Sequence, residues 1–300
     1  MSKINSSLKL VNNPRFLDYL NGNWIPPINI EISPSGVCDA ACDHCFYKNE
    51  QSGKMIYTPL MKSALEQMKE IGVQSITWTG GGEPTLHKHF KEFSELAYDL
   101  GLKQGLITNA LKKINYNPAV FDWVRVSKTN KPLNLENLST LKSAKSVGLC
   151  VNYYGNEEEL KEVISHSDKV DYIQVRPALA IHGNKTEIKF PEKYRGDKII
   201  VSGNKFNDCS KGMEYKICEG YHFLPFIWEN GNVNVCGYQK DYVLGDLNKE
   251  NLKDILYKAP KSVKVLDNCQ ICCRLNEINK TINSSRELED ILFIWNTTIV

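Results

Sequence analysis

The sequence carries almost no charge of one sign. Its 37 Lys and Arg residues are matched by 35 Asp and Glu, a formal net charge of +2. Such a chain offers no general positive field to a phosphate backbone, so charge gives nucleic acid no support as a partner. It also has no apolar run near the ~18 residues that a membrane span needs, which argues against a membrane protein. Residues 1–13 are polar and lack the apolar segment of a secretory signal, so the expectation is a cytoplasmic protein in a reducing compartment. There is no internal repeat and no low-complexity tract. The 300 residues, 42% hydrophobic and 24% charged, suit one α/β barrel of modest size plus a small appended domain.

Cysteine is what the chain has in plenty. Ten cysteines stand at positions 38, 42, 45, 150, 209, 218, 236, 269, 272 and 273. In a reducing compartment clustered cysteines read as metal ligands before disulfides. Eight of them fall into two groups, one towards each end. Cys150, mid-strand among Val147, Leu149 and Val151, reads as a core residue.

Hydrophobic periodicity places the elements. Residues 1–27 form a lead-in punctuated by Asn, Pro and Gly. Strands are predicted over 28–32, 75–78, 104–108, 123–127, 147–152 and 172–175. Helices are predicted over 59–71, 90–100, 133–145 and 157–165. Six strands alternating with helices predict an α/β fold, a partial (β/α)6 TIM-type barrel over residues 28–205. Chemistry in such sheets gathers at the C-terminal strand ends. Residues 178–215 look irregular. Residues 206–300 are expected to form a small C-terminal β-hairpin/helix domain, an iron–sulfur domain on the resemblance given below. Its hairpin joins 223–228 to 232–238 through Glu229-Asn230-Gly231, and helices follow over 251–257 and 287–295.

Cys38-Asp-Ala-Ala-Cys42-Asp-His-Cys45 is a CxxxCxxC array in the loop after the first strand. A [4Fe–4S] cluster normally takes four cysteines. Three leave one iron open to a small ligand. The second strand ends in Gly81-Gly82-Glu83-Pro84. Glycines admit a ligand close to the backbone, and a carboxylate suits an ammonium group. The array, with aromatic His44 before its last cysteine, and the Gly-Gly-Glu-Pro loop resemble the radical S-adenosylmethionine (SAM) superfamily. That resemblance implies SAM chelated at the open iron and its amino group met by Gly81, Gly82, Glu83 and Pro84. It also implies further SAM contacts from the strand ends at Asn109, Ser127, Asn152 and Arg176. The reaction implied is reductive cleavage of SAM to a 5′-deoxyadenosyl radical, with a flavodoxin or ferredoxin as electron donor.

The second group, Cys218-x12-Gly231-x4-Cys236 followed by Cys269-x2-Cys272, resembles the shortened SPASM, or twitch, domain of that superfamily. The resemblance implies an auxiliary [4Fe–4S] cluster on Cys218, Cys236, Cys269 and Cys272. Cys209 and Cys273 stay open as substitutes for Cys218 and Cys272. The same pattern also suits Zn²⁺ in a non-enzymatic interaction module. A lone auxiliary cluster able to accept an electron points to oxidation of a small polar metabolite, such as a sugar or aminocyclitol alcohol. Peptide maturation is the alternative, and the mere 27 residues before the first strand count against it. Tyr47, Tyr153, Tyr154, Arg176 and Tyr221 lie near strand ends or the hairpin, where packing explains them as well as substrate contact does.

Overall fold

The computed structural model describes residues 8–43, 45, 47, 51–177, 190–201, 213, 215–266, 269 and 275–297. Two short helices, α1 (Leu8–Val11) and α2 (Pro14–Leu20), precede strand β1 (Asn29–Ile32). Then come α3 (Thr58–Ile71), β2 (Ser75–Trp78), α4 (Phe90–Asp99), β3 (Lys103–Thr108) and β4 (Trp123–Ser127). They are followed by α5 (Leu135–Leu141), β5 (Val147–Tyr153), α6 (Glu157–Ser165), β6 (Tyr172–Pro177) and β7 (Ile199–Val201). The C-terminal part holds β8 (Ile217–Cys218), β9 (Phe226–Ile227), β10 (Asn232–Asn234), β11 (Val243–Asp246), α7 (Leu252–Lys258), β12 (Val263–Lys264) and α8 (Leu275–Thr297).

All six predicted core strands form, within about a residue or two of expectation. Local chemistry sets the helix ends. Pro59 opens α3, and Gly72 closes it with a left-handed φ of 89°. Asn156 caps α6 by accepting from Glu158 N and Glu159 N, beneath three acidic residues in the first turn. Helix α5 is shorter than expected at both ends: Asn134 caps its start, accepting from Asn137 N, and it stops at Leu141 ahead of the expected 145.

The strands make one open sheet in the order β11-β10-β9-β1-β2-β3-β4-β5-β6-β7. Strands β1 to β7 are parallel neighbours. Two features depart from the sequence reading. A seventh parallel strand, β7, lies in the stretch expected to be irregular. The C-terminal hairpin, meanwhile, extends the barrel sheet: β9 pairs parallel with β1 through Glu31–Phe226 and Ile32–Ile227. Side chains alternate across a strand. One face therefore carries Ile30, Ile32, Ile76, Trp78, Leu106, Val124, Val126, Leu149, Val151, Ile173 and Val175, all buried against the helices. The opposite face carries Asn29, Glu31, Ser75, Thr77, Arg125, Ser127, Asn152, Gln174 and Arg176, so the barrel has a polar lumen.

The lead-in is anchored. Arg15 donates to the carbonyls of Pro26, Pro27 and Gly72. Phe16 and Ile25 share a small core with Phe223 and with Ile282 of α8. Among the described residues no helix is long and apolar enough to cross a membrane.

Candidate active site

Strand β1 delivers the chain into Ser33-Pro34-Ser35-Gly36 and then the thiol loop, where Cys38, Cys42 and Cys45 are half-buried. Burial pushes the Cys38 thiol up to about 11, against a hydrogen bond from Ala40 N and with the charge of Glu83 adding to the rise. Burial also raises Cys42, opposed by Asn130 N and by the Lys128 charge. Cys45 raises both neighbours, so the three sulfurs are within electrostatic reach of one another. Among the described residues no three His, Cys, Asp or Glu side chains already stand in a group able to hold a metal ion. His44 lies outside the described residues.

The Gly81–Pro84 loop locks onto this segment. Glu83 N donates to Val37 O at 2.8 Å, and Gly81 N to Ser33 Oγ at 3.1 Å. A Cβ on Gly82 would stand 2.3 Å from Val37 O and 2.7 Å from Ser35 O, so only glycine lets the two loops touch. Glu83 is 3% exposed. Its carboxylate accepts from Thr85 N, Thr85 Oγ1 and Thr108 Oγ1 at 3.1, 2.7 and 2.7 Å, and from Asn109 N at 2.7 Å. Burial raises its pKa against those four bonds. In this state the carboxylate ties the end of β3 to the Gly-Gly-Glu-Pro loop, with three donors on Oε1 and one on Oε2.

Asn109 reaches the thiol loop, donating to Asp39 Oδ1 at 2.6 Å and lying 3.9 Å from Cys38 Sγ. The next residue, Ala110, has a left-handed φ of 52°, which costs about 1–2 kcal/mol. Asn137 of α5 holds it there, donating to Ala110 O at 2.7 Å.

Ser127, Asn152 and Arg176 sit at the lumen-facing ends of β4, β5 and β6, with Asn152 and Arg176 as register partners. Along each strand the lumen face steps down two residues at a time, about 6.6 Å: Ser127, Arg125 and Trp123 on β4, and Arg176, Gln174 and Tyr172 on β6. There Trp123 lies across Gly105 and Tyr172 across Gly148. Gln174 Oε1 accepts from Arg125 at 3.3 Å and from Arg176 at 3.0 Å. The buried Arg176 Nε has no hydrogen-bond partner.

Sequence reasoning missed the loop after β4. Lys128 is 7% exposed, donates to the carbonyls of Thr129 and Lys131, and faces Glu159 and Glu162 at 3.7 and 3.6 Å. From this loop Asn130 donates to Ala41 O and Lys131 Nζ to Asp39 O, at 3.1 and 2.6 Å. Charged loop residues look like solvated surface in a sequence, and only the fold brings them to the thiols.

The hairpin also touches the site. Glu229, at its turn, accepts from Ser33 Oγ and Ser52 Oγ. Trp228 packs edge-on to Tyr47 at 5.5 Å, Lys240 lies 4.8 Å over the Trp228 ring, and Tyr47 OH donates to Gly237 O. Tyr153 is buried in the helix-facing core. Tyr154 is partly exposed and pushed up to about 12 by burial and by Glu159. Tyr221 is a core residue whose hydroxyl donates to Pro260 O.

In the second group, Cys218 ends β8 and Cys236 follows β10. Burial raises Cys218, opposed by Asn279 and Gly220 N. Burial likewise raises Cys236 to about 11, opposed by Tyr238 N and Gln239 N. Gln239 Nε2 lies 3.5 Å from Cys269 Sγ. Cys272, with the alternatives Cys209 and Cys273, lies outside the described residues.

No protein-family model matches the chain. It is 30% identical over 144 residues to a PqqA peptide cyclase of Bradyrhizobium diazoefficiens, covering 46% of this chain and 32% of that one. It is 30% identical over 88 residues to a SAM-dependent nucleotide dehydratase of Selenomonas ruminantium, covering 29% of this chain and 31% of that one. The match thus spans about a third of each curated relative. Among solved structures, the fold is similar to Streptococcus suis SuiB bound to its precursor peptide SuiA. That likeness has a TM-score of 0.60 and 17% identity over 86% of this chain and 72% of that chain.

Proposed function

We propose a reaction for this chain from the premise that it belongs to the radical SAM superfamily, with a shortened SPASM-type segment after the barrel. It binds SAM and a polar substrate in the lumen and removes a hydrogen atom from that substrate. The observation that carries this is the lock between the thiol loop and the Gly81–Pro84 loop, made by Glu83 N on Val37 O and by the Gly82 contact. Cys38, Cys42 and Cys45 would hold the SAM-binding [4Fe–4S] cluster, and Cys218, Cys236, Cys269 and Cys272 an auxiliary one. When bound, the first supplies with SAM a 5′-deoxyadenosyl radical, and the second a one-electron acceptor. The N-terminal donor set fits: soft thiols gather in one loop, and the Arg176 Nε without a partner lies at the end of β6.

The chain's own residues do the rest. Gly82 seats the loop against Val37 and Ser35, and the Gly81–Pro84 segment would meet the SAM amino group. Glu83 fixes that loop to the end of β3 through Thr108 Oγ1 and Asn109 N. Ser127, Asn152 and Arg176 face the SAM carboxylate from the strand ends. Arg125, Gln174 and Glu31 make the interior hydrophilic, and Trp123 and Tyr172 close its floor. The flavodoxin or ferredoxin donor belongs to the same reading.

For the substrate, a lumen of amides, hydroxyls and guanidinium groups suits a small polar alcohol undergoing net oxidation. Anaerobic turnover with a panel of sugars and aminocyclitols, followed for 5′-deoxyadenosine and ketone together, tests it. 5′-Deoxyadenosine without an oxidised product across the panel would remove this reading. The second reading is peptide crosslinking, favoured by the likeness to the PqqA peptide cyclase. Mass loss from a precursor peptide encoded beside this gene would establish it instead. A colourless protein containing zinc after anaerobic reconstitution would remove both.

A further inference from the structure

We infer that Asn279 is a positioning residue that raises the reduction potential of the C-terminal iron–sulfur site through an N–H···S bond to Cys218. The inference rests on the reading of the second cysteine group as an auxiliary cluster site.

Asn279 is 2% exposed, in the second turn of α8. Both ends of its amide are used. Oδ1 accepts from Glu219 N at 2.7 Å and Gly220 N at 2.9 Å. Nδ2 lies 3.2 Å from Cys218 Sγ. An amide can be built in either sense, and its network decides which is right. Two backbone N–H groups facing one atom require that atom to be the oxygen, so the N–H must face the sulfur.

The helix cannot easily swing this amide away. Two turns further on, Arg286 grips the Glu219 carboxylate with both terminal nitrogens, at 2.5 and 3.0 Å. Tyr19 of α2 donates to the same carboxylate at 3.0 Å. Ile278 and Ile282 pack into the core formed by Phe16, Ile25 and Phe223. Residues 219 and 220, directly after Cys218, are thus held from α8 at two points.

A cluster gains negative charge when it takes an electron. An N–H donor on a ligand sulfur stabilises the reduced form more than the oxidised one, so losing it lowers the potential. Gln239 makes a longer contact of the same kind to Cys269.

The test is a redox titration followed by electron paramagnetic resonance on the full chain. Cys38, Cys42 and Cys45 are changed to Ala so that only the C-terminal cluster titrates. Asn279→Leu is close in size and neutral, so it removes the N–H donor without adding a charge. It should lower the midpoint while the chain keeps about four irons. Asn279→His, which keeps an N–H, should recover part of the shift. Ser285→Gly loosens the helix but leaves the amide and the Arg286–Glu219 pair, and should leave the midpoint unchanged. An unchanged midpoint in Asn279→Leu overturns the inference. So does an equal drop in Ser285→Gly, the mark of a merely structural role. Iron loss from both Asn279 variants counts against it too, because a tuning donor leaves the ligand set intact. If the starting chain binds no iron without its N-terminal thiols, the auxiliary-cluster reading itself has failed, and the iron count separates that result from the others.

Discussion

The N-terminal thiols follow β1 of the large sheet, Cys218 sits in the separate β8–β12 pair, and the sulfurs of the two groups are treated differently. At the N-terminal group Ala40 N serves Cys38 and Asn130 N serves Cys42, and Asn109 lies 3.9 Å from Cys38 Sγ. The polar side chains there grip the loop's carbonyls instead, Asn130 on Ala41 and Lys131 on Asp39. At the C-terminal group the sulfurs themselves are the acceptors. Gly220 N and Asn279 serve Cys218, Tyr238 N and Gln239 N serve Cys236, and the Gln239 side chain serves Cys269. Under the proposed assignment, the site with one position open for a cosubstrate would be held by its frame, and the site that stores charge would be wrapped in N–H groups.

The largest effect expected from this contrast follows removal of the N-terminal thiols. Changing Cys38, Cys42 and Cys45 to Ala should abolish 5′-deoxyadenosine formation while about four irons remain bound, measured by chromatography and iron analysis. Cys236→Ala should do the converse: iron falls to about half and SAM is still cleaved, but no oxidised product appears. If Cys236→Ala also stops SAM cleavage, the two sites are not separable and the contrast collapses.

Gly82→Ala comes next. Its new methyl meets backbone atoms of Val37 and Ser35, so the loops must part. The expected cost is about 1–3 kcal/mol of stability, seen as a lower denaturation midpoint, with SAM binding weakened about tenfold. Glu83→Gln should cost about 1–3 kcal/mol, because the amide turns an NH₂ towards either the Asn109 N–H or the Thr85 and Thr108 donors. Equal denaturation midpoints for Glu83→Gln and the parent chain would show that those bonds do not hold the loop. Lys131→Met is the mildest change. This exposed bond to Asp39 O should shift stability by less than about 0.5 kcal/mol, yet speed iron loss to a chelator from the N-terminal site only.

Much of this was legible in the sequence, and the exceptions have physical causes. The six core strands and the helices α3, α4 and α6 followed from alternating apolar residues, caps and Gly72. Cys38, Cys42 and Cys45 stood out by spacing and the Gly81–Pro84 loop by resemblance, and the fold brings the two loops together through Glu83 N and Val37 O. Strand β7 was missed because Ile199–Val201 is three residues long and sits among polar neighbours. Helix α8 starts at Leu275, twelve residues ahead of the expected 287. Asn276, Glu277, Asn279, Lys280 and Ser284 dilute its apolar stripe, and Asn279 serves as a polar anchor. The parallel pairing of β9 with β1 is a long-range register that no local pattern encodes. Lys128, Asn130 and Lys131 were invisible for the same reason.

That pairing has a practical consequence for anyone who cuts the gene. Strand β1 carries the thiol loop, and β9 covers its outer edge. A fragment ending ahead of Phe226 would bare the Asn29–Ile32 backbone as an unpaired edge, flanked by Ile30 and Ile32. Such edges recruit other chains. The shortened barrel would therefore be expected to aggregate rather than survive as a smaller, single-cluster enzyme.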